Sequence, residues 1–405
     1  AVGQRVRQGG GVGHGQAGRG DGCAVSVRPA PFGRTPQNRA MKKPRGLAWT
    51  RSLRRGVASL GRQALQAGSA ALLQALAPPA RAARRPATRR PAAKRAAPRP
   101  PAAARRSAAA KGNWLPGLAM GPGGARRWRL YSPPGMRAGE HLPLLVLLHG
   151  CTQDAAAFAA STRMNRLAAQ QRFLVLYPEQ DRLANAQGCW NWFDTDRGRA
   201  QAEADLVLHA IDQVCRSHGA DRHRVVVAGL SAGASLAALL AARHPHRISG
   251  VVMHSGIPPG TAHSTLTALR AMQGRGTTAP MAAMPATGWP ALLVLHGSAD
   301  TVVSPANAEA AVLAWAAAAG ALPAATRQVQ RGHRLAMQVT DFQRRGRTVA
   351  TLALVQGLAH AWSGGAAGQP FSDPAGPDAS RLVWAFARKQ FASRAASAAA
   401  LAAAA

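Results

Sequence analysis

The sequence predicts an α/β domain whose mainly parallel sheet is covered by helices on both faces. Unbroken apolar runs of strand length, such as Leu142–Leu148 and residues 291–296, are typical of parallel strands buried on both faces. Helical segments over residues 200–218 and 306–319 lie between such runs, and alternating strands and helices indicate a parallel sheet. The run 229–233, Gly-Leu-Ser-Ala-Gly, lies where one strand passes into a helix.

The N-terminal part has a different composition. Residues 1–111 hold 24 of the 51 Lys and Arg residues and one acid, Asp21, so they carry +23 of the formal net charge of +35. Residues 1–40 begin with Ala and lack periodicity, and we expect Met41 to be the translational start, preceded by read-through or disorder. We predict a disordered basic region over 1–111 and a folded α/β domain over 112–394.

Residues 51–76 combine apolar residues at helical spacing with arginines between them. One interpretation is a basic amphipathic helix that lies on an anionic or hydrophobic surface. The other is a secretion signal with Ala75-Leu76-Ala77 as its cleavage site. The sequence leaves both open.

Residues 78–111 are almost wholly Ala, Pro, Arg and Lys, a composition typical of a solvated linker. Such a tail neutralises phosphates but holds no aromatic residue to stack on bases, so specific nucleic-acid binding is not expected. No uncharged apolar run reaches the roughly 18 residues of a membrane span, and no transmembrane segment is predicted.

The folded part begins near Trp114 with an edge strand over residues 126–131. The predicted elements that follow are strands at 142–148, 173–177, 224–228, 248–253 and 291–296, helices at 200–218, after Ser231, at 306–319 and at 377–391, and a hairpin of 335–341 with 348–355. The interval 257–288 interrupts the alternation of strands and helices and is expected to be a loop near the functional site.

Ser231 is the predicted nucleophile, because a serine between a buried strand and a helix is forced onto a strained turn that exposes its hydroxyl. Serine needs a base to take its proton and an acid to hold that base. In such a sheet these follow in the order serine, acid, histidine. Asp300 is the predicted acid because it lies in the loop that follows the apolar strand ending in His296.

His333 and His360 are the histidines that follow Asp300, and His360 is the predicted base. It follows the final strand in a loop of small residues, whereas His333 precedes the hairpin. His149 and His296 each precede a glycine at a strand end and are interpreted as local hydrogen-bonding residues.

An oxyanion hole needs two N–H donors aimed at the developing charge. The N–H of Ala232 follows the nucleophile and begins the helix, so it is one candidate. The second is expected from the loop after residue 148, where the N–H of Cys151 is best placed.

Four cysteines without paired Cys-x-x-Cys spacing predict neither a disulfide scaffold nor a metal site. A Cys151–Cys189 bridge and a reduced pair both remain open, and a bridge would argue for an oxidising compartment. The run 189–193, Cys-Trp-Asn-Trp-Phe, either lines a substrate cleft, with Trp192 as the cleft residue, or forms a small core under a loop.

Six blocks in this order resemble the poly(3-hydroxybutyrate) depolymerase family of α/β-hydrolase esterases, a group similar to feruloyl and acetylxylan esterases. They are residues 148–153, 177–180, 189–193, 229–233, 296–300 and 357–362, within a resemblance that runs from about Arg126 to Phe391. The resemblance implies Ser231 as nucleophile, Asp300 as orienting acid, His360 as base, Cys151 and Ala232 as oxyanion donors, and no cofactor.

The expected function is hydrolysis of ester bonds in poly(3-hydroxybutyrate), short-chain polyhydroxyalkanoate or their oligomers through an acyl-enzyme. The alternatives are a feruloyl or acetylxylan esterase and, from another class, a non-catalytic granule- or polyanion-binding protein on a hydrolase scaffold. The resemblance implies an extracellular protein, while the weak signal pattern in residues 51–77 also fits a cytoplasmic, granule-associated one.

Overall fold

A computed structural model describes residues 112–277 and 289–403, and one large sheet runs through this part of the chain. Its strands are β1 (Asn113–Gly121), β2 (Gly124–Ser132), β3 (Leu142–Leu148), β4 (Leu174–Pro178), β5 (Ala220–Leu230), β6 (Gly250–His254), β7 (Ala291–Gly297), β8 (Leu322–Pro323), β9 (Arg327–Val329), β10 (Met337–Arg344) and β11 (Arg347–Val355). Two short strands, β12 (Trp362–Ser363) and β13 (Ser372–Asp373), pair separately.

The strand order is β1-β2-β4-β3-β5-β6-β7-β11-β10-β8, with β9 beside β10. Strands β4, β3, β5, β6, β7 and β11 are parallel to their neighbours within this group, whereas β1, β2 and β10 pair antiparallel at the flanks. The parallel strands therefore place their carboxyl ends along one edge of the sheet, where catalytic residues of such sheets are usually found.

Helices cover both faces of the sheet. They are α1 (Ala155–Thr162), α2 (Met164–Gln171), α3 (Arg199–Ser217), α4 (Ala232–Arg243), α5 (Thr265–Met272), α6 (Ala306–Ala319) and α7 (Ala379–Ala403). Leu144, Val146 and Leu148 of β3 pack in one core with α3, α4 and α6. Leu145 and Leu147 point to the other face and pack in a second core with α1, α2 and α7. Every side chain of β3 is therefore buried, as its continuous apolar sequence predicts.

The predicted α/β architecture is confirmed, but the strand predicted over residues 126–131 is not an edge strand. It lies within β2, between β1 and β4, and β1 forms the edge instead. The sequence of β1 holds one proline and two glycines, and most of its residues are exposed or partly exposed. It consequently shows little of the alternation between apolar and polar residues from which strands are recognised.

Two other segments differ from the expectation. The interval 257–288, predicted as a loop, contains helix α5, whose N-cap Ser264 exchanges hydrogen bonds with Thr267 in a capping box. The last helix, predicted over 377–391, continues to Ala403 and so passes residue 394, because alanine has the highest helix propensity. Helices α1 and α2 had not been assigned from the sequence.

The amphipathic helix predicted over residues 51–76 and the basic region 1–111 lie outside the described residues. In the part of the chain that the structure describes, no helix combines the length and the apolar character that crossing a bilayer requires.

Candidate active site

Ser231 occupies a one-residue turn between β5 and α4. Its backbone has φ 56° and ψ −122°, a left-handed conformation that costs energy for a residue with a Cβ. Its N–H donates to the carbonyl oxygen of His254 at the end of β6, at 2.8 Å. The neighbouring strand thus holds the strained turn, and Ser231 is only partly buried.

Two glycines make this turn possible. A Cβ on Gly233 would collide with the carbonyl oxygens of Leu148 and His149, and one on Gly229 would collide with the backbone of Gly233. These neighbours are main-chain atoms that cannot rotate away. The spacing Gly-x-Ser-x-Gly is therefore a steric requirement of a helix that starts against the end of β3.

Asp300 and His360 come together because β7 and β11 are parallel neighbours. The loops that leave these strands are joined by hydrogen bonds from Ser298 N–H to Val355 O, at 2.9 Å, and from Ala299 N–H to Leu358 O, at 3.1 Å. Nδ1 of His360 lies 2.7 Å from Oδ2 of Asp300. A carboxylate can only accept in this bond, so Nδ1 carries the proton and Nε2 keeps its lone pair.

Asp300 is fully buried, and its carboxylate accepts several hydrogen bonds. Its Oδ1 accepts from the N–H groups of Val302, at 3.0 Å, and Val303, at 2.9 Å. Burial would raise the pKa of this carboxyl, but hydrogen bonding to His296 and His360 outweighs burial and holds the pKa well below its ordinary value. Asp300 is therefore a carboxylate throughout the neutral range.

His296, at the end of β7, contacts Asp300 and the loop that carries it. Its Nε2 donates to the carbonyl oxygen of Val303 at 2.9 Å and lies 3.4 Å from Oδ2 of Asp300. This agrees with the interpretation of His296 as a residue that organises its own loop.

His254, at the end of β6, was not singled out from the sequence. Its Nε2 accepts from the N–H of Ser363, at 3.1 Å, and its ring stacks on Trp362 with centroids 5.2 Å apart. Burial, helped by the neighbouring His296 and His360, lowers its pKa to about 3. This histidine therefore anchors the segment that follows His360. Its position at the end of an apolar strand, like that of His296, was an available signal.

Ser231, Asp300 and His360 all follow carboxyl ends of parallel strands on one edge of the sheet. The N–H of Ser231, directly after β5, donates to the last residue of β6. The N–H of Ser255, directly after β6, donates to Leu295 O in β7 at 2.9 Å, so hydrogen bonds link the ends of β5, β6 and β7. The structure brings Asp300 and His360 into contact. Among the hydrogen bonds of the described residues, none joins the Ser231 hydroxyl to His360. His333 is exposed, in the turn between β9 and β10.

The loop after β3 lies close to Ser231. A Cβ placed on Gly150 would stand 3.7 Å from the Cβ of Ser231. Gly150 N–H donates to Gln153 and Thr152 N–H to Gln187, whereas the N–H of Cys151 has no acceptor among the described residues. The N–H of Ala232 belongs to the first turn of α4, where amides lack partners within the helix.

A disulfide bond joins Cys151 to Cys189, with their Cα atoms 4.2 Å apart. The question left open by the sequence is thus answered by the structure. The bridge ties the loop after β3 to the loop after β4. His149, one residue before Gly150, donates from Nδ1 to Gly150 O and accepts at Nε2 from Gln180 N–H, at 2.8 and 3.1 Å.

Glu203 of α3 is a supporting residue that the sequence analysis missed. It is buried, pairs with Arg126 of β2 at 3.1 Å, and accepts from Gln180 Nε2 at 2.8 Å. It also accepts from Asn191, through the N–H at 2.8 Å and through Nδ2 at 2.7 Å. One carboxylate therefore anchors the segment that carries Cys189 and Trp192.

Trp192 is partly buried at the junction between the main core and a small cluster. This cluster contains Ile257, Ala262, Ala268, Ala271 and Val303, with Phe193 packed edge-on against Trp192 at a centroid distance of 5.7 Å. The small core weighed from the sequence is therefore present. The partial exposure of Trp192 keeps its role in a substrate cleft a prediction.

Residues 112–277 and 289–403 contain no group of three or more His, Cys, Asp or Glu side chains arranged to hold a metal ion. This edge of the sheet carries a serine hydroxyl, an imidazole paired with a carboxylate, and backbone N–H groups.

Comparison with known proteins matches residues 127–339 to the family described as "Esterase PHB depolymerase". Poly(3-hydroxyalkanoate) depolymerase C of Paucimonas lemoignei is 36% identical over 196 residues, which cover 46% of this chain and 46% of that protein. Acetylxylan esterase A of Emericella nidulans is 25% identical over 193 residues, which cover 44% of this chain and 62% of that protein. The chain thus spans about half the length of these curated relatives.

Among solved structures, an acetyl xylan esterase from Aspergillus awamori superposes with a TM-score of 0.51 at 21% identity. The superposition covers 62% of this chain and 94% of that one. At this identity the likeness shows the fold, which is that of the α/β-hydrolases.

Proposed function

Because the chain belongs to the Esterase PHB depolymerase family, we propose that it is a serine esterase that cleaves poly(3-hydroxybutyrate), short-chain polyhydroxyalkanoate or their oligomers. The observation that carries the proposal is the 2.7 Å contact between His360 Nδ1 and Asp300, on the sheet edge that also presents Ser231. The relative named poly(3-hydroxyalkanoate) depolymerase C supports the substrate class.

Ser231 is the proposed nucleophile. Its Oγ attacks the ester carbonyl carbon while Nε2 of His360 takes the hydroxyl proton. The C–O bond to the alcohol part of the substrate then breaks, and the proton on His360 passes to the departing oxygen. Water, deprotonated by the same nitrogen, attacks the acyl carbon of the acyl-serine. The bond from that carbon to Oγ then breaks, His360 returns its proton to Oγ, and the hydroxy acid leaves.

Asp300 is the proposed orienting acid. Its carboxylate holds the proton of His360 on Nδ1, so that the lone pair of Nε2 is available, and it stabilises the imidazolium that forms. The low pKa of Asp300 supports this role, because the acid stays ionised when the imidazole gains its proton.

The N–H groups of Cys151 and Ala232 are the proposed donors to the oxyanion. The nearness of Gly150 to Ser231, the place of Ala232 directly after Ser231, and the lack of an acceptor for the Cys151 N–H among the described residues support the assignment. Loss of one such donor typically lowers kcat by about 10²–10³-fold. The direct bond between Ser231 and His360 is expected to form with substrate bound, since such bonds are often long in free enzymes.

Trp192 is the proposed contact for the apolar part of the substrate, beside the small cluster that holds α5. The Cys151–Cys189 bridge supports action in an oxidising compartment, because structural disulfides persist there and are rare in the cytosol.

A fluorophosphonate probe tests the nucleophile. We expect covalent labelling of the parent at Ser231 and hydrolysis of amorphous poly(3-hydroxybutyrate) to hydroxybutyrate oligomers, identified by mass spectrometry. Ser231→Ala should abolish labelling and lower kcat by at least about 10⁴-fold. The control Ser397→Ala, on the exposed end of α7, should label like the parent.

An acetylxylan or feruloyl esterase is the second candidate, favoured by the relative named acetylxylan esterase A. A higher kcat/KM on an acetylated xylan or a feruloyl ester than on a hydroxybutyrate oligomer would establish it. A parent protein that binds granules but neither labels nor hydrolyses any ester would instead identify a binding protein on a hydrolase scaffold.

A further inference from the structure

A cavity of about 690 Å³ lies between α2, the first half of α7 and the turn that joins β9 to β10. None of its lining residues is Ser231, Asp300, His360 or a proposed oxyanion donor. Its volume is within the range of small-molecule sites in proteins. The cavity is thus separate from the proposed catalytic machinery, and nothing in the proposed ester hydrolysis uses it.

The wall of this cavity is strongly basic. Six arginines line it: Arg163, Arg166, Arg331, Arg334, Arg381 and Arg388. The single carboxylate in the lining, Asp378, caps the start of α7 and lies 3.5 Å from Arg381. Arg163 and Arg334 donate to the carbonyl oxygens of Gly364 and Gly376.

Three of these arginines have neither an ion pair nor a side-chain hydrogen bond with a described residue. Arg166 of α2, Arg331 of the β9–β10 turn and Arg388 of α7 form no ion pair with any described residue. They come from three separate elements and line one space. Like charges gathered in this way favour a bound anion, and the planar guanidinium matches a carboxylate with two parallel hydrogen bonds.

The rest of the lining is mixed: Thr162, Gln170, Gln171 and Ser380 are polar, and beside them lies an apolar part. The apolar part includes Leu167, Val329, Leu335, Met337, Leu382 and Trp384. Val329, Leu335 and Leu382 are partly exposed and form the accessible part of this surface. Leu167, Met337 and Trp384 are almost fully buried, and Trp384 stacks on Phe173 with a centroid separation of 3.9 Å. This surface is held by the core beneath it. A purely inorganic anion would leave it facing water, whereas an aliphatic chain would cover it.

We propose that this cavity binds an aliphatic carboxylate, with the carboxylate held by Arg166, Arg331 and Arg388 and the chain against Val329, Leu335 and Leu382. The formal charge of +35 disfavours a second copy of the chain, or its basic N-terminal region, as the occupant. The inference stands apart from the proposed function and does not depend on ester hydrolysis.

Isothermal titration calorimetry with sodium octanoate tests the proposal on the full chain at low ionic strength. We expect saturable binding, weakened at least about tenfold in Arg166→Gln/Arg388→Gln because two charge-assisted contacts are lost. Arg344→Gln, at the exposed end of β10 outside the cavity, should bind octanoate like the parent. Unchanged thermal unfolding of the variants shows that they remain folded.

Three results would overturn the proposal. The first is no saturable binding of octanoate to the parent. The second is equal affinity in parent and double variant, which would place octanoate elsewhere, for example beside Ser231. The third is inorganic phosphate binding as tightly as octanoate, which would show that the apolar surface takes no part.

Discussion

His149 and His254 are buried imidazoles that the fold keeps neutral. Each accepts a backbone N–H at Nε2, from Gln180 and Ser363 respectively, so each needs an unprotonated nitrogen. Burial lowers the pKa of His149 to about 4 and that of His254 to about 3, from an ordinary value of 6.5. A proton on either ring would remove an acceptor in a place that water does not reach.

We therefore predict a loss of stability between pH 7 and pH 5. In this window the unfolded chain protonates both imidazoles and the folded chain does not, so the free energy of unfolding falls as the pH falls. The expected loss is about 2 kcal/mol per histidine at pH 5. Asp300, whose pKa is depressed, contributes stability above about pH 4 and loses it only at lower pH. Urea unfolding at several pH values measures the slope.

His149→Gln should show a shallower pH dependence than the parent. His141→Gln, which changes an exposed histidine just before β3, should leave the slope as it is. An equal slope in His149→Gln and the parent would contradict the argument.

At the scale of elements, the ion pair between Glu203 and Arg126 joins α3 to β2 and anchors the segment around Asn191. Removing the carboxylate leaves a buried guanidinium and three other donors without their acceptor. Glu203→Leu should therefore lower the free energy of unfolding by about 3–5 kcal/mol.

The double variant Arg126→Leu/Glu203→Leu should recover part of this loss, because replacing both charges by apolar groups removes the unpaired charge. Urea unfolding of Arg126→Leu, Glu203→Leu and the double variant completes a double-mutant cycle for this ion pair. A double variant no more stable than Glu203→Leu would show that the unpaired arginine is not the source of the cost.

The Cys151–Cys189 bridge connects two loops at the carboxyl edge across 38 residues of sequence. Closing a loop of this length contributes about 4 kcal/mol in the chain-entropy estimate. Cys151→Ser/Cys189→Ser should lose up to that amount in urea unfolding. It should also lower kcat on a soluble ester by about tenfold to a hundredfold, because the N–H of residue 151 is then less well positioned.

Cys215→Ser is the matched control. Cys215 is unpaired and partly buried, and burial raises the pKa of its thiol to about 11, so it stays a thiol at neutral pH. We expect this variant to keep the stability and kcat of the parent. If the double cysteine variant kept both as well, the bridge would have no part in positioning the loop.

At the scale of the whole molecule, the charge is concentrated before residue 112. We predict that deleting residues 41–111 reduces adsorption to poly(3-hydroxybutyrate) granules or anionic vesicles, because the basic segment that would contact them is removed. Hydrolysis of a soluble ester should not change, since the proposed site lies within residues 149–360. Co-sedimentation and a soluble-ester assay measure the two effects.

Arg51→Gln/Arg54→Gln/Arg55→Gln/Arg62→Gln separates charge from apolar contact in this segment. A loss of vesicle binding equal to that of the deletion would assign adsorption to the arginines. Unchanged adsorption after the deletion would reject the attachment role.

The alternation of the main strands and helices was predictable from local patterns, and so was the placement of Ser231, Asp300 and His360 after strands of one sheet edge. Apolar runs mark strands that are buried on both faces, and Gly229 and Gly233 mark a turn that only glycine permits. Strand β1 was not predictable, because its antiparallel pairing with β2 compensates for a sequence without a clear period.

The sequence by itself determined the strand-helix alternation, the strained serine turn and the concentration of basic residues before residue 112. These follow from interactions between residues close along the chain. Only the tertiary structure decided that Cys151 pairs with Cys189, that Glu203 anchors Asn191, and that six arginines line one cavity. Such contacts join residues from separate elements, and their distances depend on how the sheet and helices pack.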